Sequence, residues 1–152
     1  DMGIANIDMG CEDVTAKRLS VSAEHLVPDH AYFDCYSYTN GRTTVTAPIN
    51  SKAFYTASRI TPSSGFMLLF NSSTVPTNSA NNLTNITPSG KPDLNIFLGA
   101  VNYAGTPAFE NFAPRTFGFF SVGDGLTSGE CVNLYSAVKQ LQYDLNRNLS
   151  AF

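Results

Sequence analysis

Charge is scarce in this 152-residue chain: 14% of residues are Asp, Glu, Lys or Arg, the net charge is -3, and no run of Lys or Arg occurs. That removes the electrostatic footprint of a nucleic-acid binder or of a polybasic segment on a membrane surface. Long apolar runs are missing too. Nothing approaches the ~20 residues of a bilayer span, and no basic, apolar and small-residue zones line up as a signal peptide, so no membrane insertion is expected. Cysteine is limited to Cys11, Cys35 and Cys131. An odd number at wide spacing leaves out a zinc knuckle or redox pair and reads as buried thiols. The histidines, His25 and His30, flank Pro28 beside Glu24 and Asp29, and read as exposed loop imidazoles rather than metal ligands.

Reactive constellations are equally sparse. No Gly-x-Ser-x-Gly elbow is present for a hydrolytic triad. A glycosidase needs two carboxylates on one face, about 5 Å apart for retention or further for inversion. Glu12 and Asp13 are neighbours and so point to opposite faces of a strand, while Asp34 and Glu110 stand alone. Asp8, Asp93 and Asp124 are isolated as well, and a single carboxylate is not a calcium site. The reading assigns no catalytic residue, no metal and no cofactor.

What the chain does have is strands. Ala31 to Tyr38 alternates, with Phe33 and Cys35 on one face and Tyr32, Asp34, Tyr36 and Tyr38 on the other, the pattern of a sheet with one buried face. Short runs of similar character cover 5–10, 19–26, 42–49, 52–60, 65–75, 94–103 and 115–122, separated by turn-forming stretches such as Thr39-Asn40-Gly41 and Thr61-Pro62-Ser63-Ser64. This regular spacing predicts a mainly β fold, an antiparallel sandwich or jelly roll. The polar segment from Pro76 to Pro92 reads as one long loop.

The end of the chain changes character. Thr127 and Glu130 have the spacing of a capping box, in which each residue satisfies the other's amide. Behind them Leu134, Val138, Leu141 and Leu145 recur at helical intervals, so a helix is expected over about 127–146 with those four facing inward. Gly123-Asp124-Gly125 breaks the preceding strand. A chain of this length is most simply one domain, able to bury roughly 70% of its unfolded surface.

Several of these segments together resemble a known family. Ala53-Phe-Tyr-Thr-Ala-Ser-Arg59, then Gly65-Phe-Met-Leu-Leu-Phe-Asn71, then Pro92-Asp-Leu-Asn-Ile-Phe-Leu-Gly-Ala-Val-Asn102, then Phe119-Phe-Ser-Val-Gly-Asp-Gly-Leu-Thr127 and the closing helix look like the C-terminal part of concanavalin A-like (laminin G-like) jelly-roll domains found in structural proteins of tailed bacteriophages and prophages. The likeness covers roughly residues 52–147. It implies a single sandwich domain over 1–152 closed by the helix. Because Asp1 opens where such a sandwich is already under way, first strands or an upstream region are expected to lie elsewhere.

For function the resemblance implies a non-enzymatic virion component, a tail fibre, spike or capsid-surface protein, displaying a lectin-like sandwich for attachment or subunit contacts. Its partners would be other virion proteins and further copies of itself, with a trimer favoured, and its location the particle surface. The alternative is a carbohydrate-binding module for a host surface glycan. Sugar binding needs aromatic faces and amide groups on a shallow surface, and Tyr36, Tyr38, Asn40, Asn102 and Tyr103 are the candidates for that site.

Overall fold

The computed structural model describes residues 7–15, 17–22, 30–36, 41–46, 53–61, 64–70, 75–76, 78–82, 92–108 and 117–147. The chain is mainly β, with two sheets and one C-terminal helix. Four strands come first: β1 (Met9–Glu12), β2 (Arg18–Ser22), β3 (His30–Cys35) and β4 (Arg42–Thr46). β5 (Phe54–Thr61), β6 (Ser64–Phe70) and β7 (Asn78–Asn82) follow, then β8 (Phe97–Leu98), β9 (Val101–Tyr103), β10 (Thr106–Ala108) and α1 (Ser128–Asp144). The larger sheet runs β10-β9-β1-β2-β3-β4 with β8 also on β1, and the smaller runs β5-β6-β7. All described pairings are antiparallel except β1 with β9.

β6 explains the layering. Its sequence Gly65-Phe-Met-Leu-Leu-Phe70 is apolar without alternation, as expected of a strand covered on both faces. Met67 and Leu69 pack with Ala31, Phe33, Cys35 and Val45 of the larger sheet, forming the inter-sheet core. Phe70 and Leu68 point the other way and join Phe54 beneath Cys131, Tyr135 and Val138 of α1. The molecule is therefore three layers deep: large sheet, small sheet, helix. Such stacking buries the apolar face that a lone sheet would leave wet.

The helix starts where the capping box predicts. Thr127 Oγ1 accepts from the Glu130 amide at 3.3 Å, and Glu130 Oε2 accepts from the Thr127 amide at 2.7 Å. Its buried stripe is rotated from the expected one. Cys131, Tyr135, Val138 and Gln142 face the core, whereas Leu141 and Leu145 are 45% and 52% exposed. Two contacts explain the rotation. Tyr135 stacks on Phe70 at 4.5 Å between ring centroids, an aromatic pair that adds about 0.5–1.5 kcal/mol beyond its buried area. Gln142 is tolerated inside because its Nε2 donates to the Gly118 carbonyl and its Oε1 accepts from Arg147, both at 3.1 Å.

Other boundaries moved. The single run expected over 94–103 is two strands, broken at Gly99, whose φ of +78° belongs to the left-handed region. A strand, β7, crosses the stretch that reads as a long polar loop. Of the strand expected over 115–122, the described residues 117–122 have no regular secondary structure and join no described ladder. No described helix is long and apolar enough to cross a membrane.

Candidate functional site

Strand parity places a row of charges on the face of the larger sheet that points away from β5 and β6. Glu12 stands opposite Arg18 across β1 and β2, and Asp34 stands between Ser20 and Arg42 across β2, β3 and β4. The side chains use that placement. Arg18 pairs with Glu12 through Nε (2.6 Å) and Nη2, and its Nη1 lies 3.5 Å from Asp34. Arg42 grips Asp34 with two parallel bonds, Nε to Oδ1 at 2.6 Å and Nη2 to Oδ2 at 2.8 Å. Ser20 Oγ donates to the same carboxylate at 3.3 Å, and the Arg42 guanidinium lies 4.8 Å above the Tyr32 ring.

This ladder of two acids and two bases has no net charge, and Glu12, Arg18 and Asp34 are all buried. Forked guanidinium–carboxylate bonds of this kind are among the strong hydrogen bonds of proteins. The bonds to Asp34 hold the Arg42 guanidinium above its ordinary pKa. Two carboxylates thus share one face, from two strands rather than one, a pairing that is not visible from Asp34 read alone. Their geometry is unlike an acid–base pair, because Arg18 bridges them where a substrate or water would have to stand. The sequence did carry a signal: in each pair opposite charges flank a hairpin turn, Glu12 with Arg18 and Asp34 with Arg42.

Of the residues proposed for a sugar site, the three that are described, Tyr36, Asn102 and Tyr103, do not share one surface. Tyr36 leaves the alternation of its strand with φ +71°, and packs against the inter-sheet core with the Arg59 guanidinium 5.7 Å from its ring. Asn102 is 3% exposed, its amide donating to the Asn95 carbonyl at 2.8 Å and accepting from the Gly105 amide at 2.9 Å. One end of that amide holds its own hairpin in shape and the other ties it to the chain before β8. Tyr103 is 39% exposed, and pairs in register with Glu12 on the charged face. Tyr36 and Tyr103 are thus directed to opposite sides of the larger sheet. Tyr38 and Asn40 lie outside the described residues, as does His25. His30 starts β3, half-buried, with its ring stacked 6.3 Å from that of Tyr32.

All three cysteines are free and buried. Burial is the main cause that raises each thiol above its ordinary pKa, so the thiolate needed for nucleophilic attack or metal binding is disfavoured. A cavity of about 590 Å³ lies between the sheets beside β5, bounded by the large-sheet residues Leu19, Val21 and Phe33 and by residues 117–126.

Comparison with known proteins gives no match: no family model, no curated protein and no solved structure is similar to this chain.

Proposed function

We propose that this chain is a non-enzymatic structural protein of a virion, a tail-fibre, spike or capsid-surface component whose sandwich serves attachment or contacts between subunits. The observation that carries the reading is the buried ladder. The carboxylates that share the large sheet's polar face, Glu12 and Asp34, are engaged by guanidinium groups, so that face contributes rigidity rather than a reactive group. Two further facts support it. Four of the five segments that resemble phage concanavalin A-like domains fall on β5, on β6, on β8 and β9, and on α1, while Phe119 to Thr127 lies between β10 and the helix. Apolar side chains also remain at the surface near the end of the helix, Leu141, Tyr143 and Leu145 among them, and exposed apolar groups that cluster mark contact surfaces. A symmetric homo-oligomer, a trimer first, is the assembly this reading expects.

The test is location. Antibodies raised against the chain and applied to purified particles of the source should decorate one fixed position on the particle in electron micrographs. Particles that carry no label, with the protein recovered only in free form, would overturn the reading. The competing account, a glycan-binding module, draws on the exposed ring of Tyr103 beside Glu12. On a glycan array it requires specific binding that Tyr103→Ala abolishes, whereas the structural reading predicts no loss of assembly in that variant.

A further inference from the structure

β5 ends the smaller sheet, and no described strand lies beyond it. The cavity beside it is lined by every residue from 54 to 59 and by every residue from 117 to 126. Successive residues of a strand point to opposite faces, so a cavity that touches all of them abuts the strand's edge rather than one of its faces. The facing wall is chain without regular secondary structure, held at both ends. Phe119 lies 6.2 Å from Phe54, and the Gly118 carbonyl accepts from Gln142 and Arg147. At the other end Ser58 Oγ donates to the Leu126 carbonyl at 2.6 Å and accepts from its amide at 2.7 Å. A Cβ on Gly125 would stand only 2.5 Å from the Arg59 carbonyl oxygen, so the chain is drawn close to β5 there.

These anchors set a direction. Residue 119 sits beside 54 and 125 beside 59, so the segment between these anchors runs parallel to β5 before the chain turns back and Leu126 meets Ser58. The offset is five residues on one side and six on the other, one extra residue of the kind a bulge absorbs. Phe119 faces the helix with Phe54. Once the segment pairs as a strand, alternation directs Phe120 and Val122 to the opposite side, the side of Tyr55 and Ala57, where the cavity lies beneath Leu19 and Val21. Those two side chains are 39% and 55% exposed, and they are the apolar groups that match the space.

We infer that residues 117–122 are a closing strap: the segment adds to the edge of β5 as a parallel fourth strand, inserting Phe120 and Val122 into the cavity. The open form leaves a slot between the sheets; the closed form completes the smaller sheet and fills it. The occupant is the chain's own segment rather than a ligand, because its tethers hold it beside the slot.

Hydrogen exchange on the unmodified full chain tests this, read together with a cross-link that locates the segment. Alternate amides within 119–122 should exchange at least about ten-fold more slowly than unstructured chain, since an edge strand turns every second N–H to its neighbour and a bonded amide opens only by local unfolding. The double variant Ala57→Cys, Val122→Cys should form a disulfide within one chain under mild oxidation. Tyr55→Cys with Phe120→Cys is the second pair if the first does not fold. Exchange at the unstructured rate overturns the inference. Protection without an intrachain disulfide overturns it as well, because the segment is then ordered against something other than β5. Disulfides formed solely between chains do the same and point to strand exchange with a second copy.

Discussion

Asp34→Ala removes the centre of the charged ladder, and the size of the effect follows from what is left behind. The wild-type carboxylate is 3% exposed and touches both guanidinium groups, Arg18 at 9% and Arg42 at 21% exposure. Truncating one partner of a buried ion pair costs about 3–5 kcal/mol, because the remaining charge stays desolvated. Two features place Asp34→Ala at the lower end. Arg18 keeps Glu12 as a partner, and Arg42 is open enough for water to rehydrate it. A loss of about 3 kcal/mol is therefore expected, a large share of the roughly 5–15 kcal/mol that holds a typical domain together. Followed by circular dichroism in urea, with a slope of about 2 kcal/mol/M, the midpoint should fall by about 1.5 M. The double variant Asp34→Ala, Arg42→Ala should lose less than the sum of the two single losses, with a coupling of about 1–3 kcal/mol. A midpoint change in Asp34→Ala below about 0.5 M, with additive behaviour in the double variant, would refute the argument that this ladder is buried and mutually compensating.

Three other substitutions or conditions probe separate parts of the fold. The Tyr135 hydroxyl is buried with no hydrogen-bond partner among the described residues, so Tyr135→Phe should raise stability by about 1 kcal/mol in the same urea assay, since an unmade bond costs a buried polar group about 1–3 kcal/mol; a clear loss would reveal a partner. Hydrogen bonds from the Thr127 backbone and side chain lower the Glu130 pKa from its ordinary 4.5, so the stability it lends the helix is complete above that value and disappears as pH falls through the lower folded value. Melting curves of wild type should show that acid decline, and Glu130→Gln should show less of it; equal declines would contradict the capping role. The three thiols should resist a thiol-specific disulfide reagent at pH 8 in the native state and all react on unfolding, because each is buried and its thiolate is disfavoured; a thiol that reacts at once is not in the core.

Local chemistry made some of this structure readable. The helix start is an example: Thr127 and Glu130 carry their instruction within four residues, and no distant contact is needed to interpret it. The helix's inward face was readable in part: Val138 is buried and Leu134 packs against the core, while Leu141 and Leu145 do not. Leu134, Val138, Leu141 and Leu145 are the most apolar choice on helical periodicity alone, yet the face is set by an aromatic slot on β5 and β6 that accepts Tyr135. A buried Gln142 is counterintuitive until the Gly118 carbonyl is known to lie beside it. β7 shows the opposite limit. Its residues, Asn-Ser-Ala-Asn-Asn, have poor strand propensity and no alternation, and they form a strand because β6 presents an edge to pair with.

The described residues of the candidate sugar site are dispersed for a similar reason. Tyr36 reads as one of four outward residues of a regular strand, but a single left-handed residue at the strand's end turns it inward. Asn102 reads as an available amide after a strand, but a hairpin that turns through Ala104 and Gly105, both at positive φ, recruits it. Part of the ladder was within reach of sequence reasoning, because two of its salt-bridged pairs, Glu12 with Arg18 and Asp34 with Arg42, each span one hairpin. What sequence could not supply was the lateral step from Arg18 to Asp34, which depends on the register of β2 against β3.

The measurement closest to the central claim is the mass of the assembly formed by the native protein, obtained by native mass spectrometry with peptide mapping of every chain present. The account predicts a symmetric oligomer of this chain, a trimer first, recovered with other virion proteins. A monodisperse monomer that associates with nothing at high concentration would contradict it, and would leave a free-standing glycan-binding module as the better description.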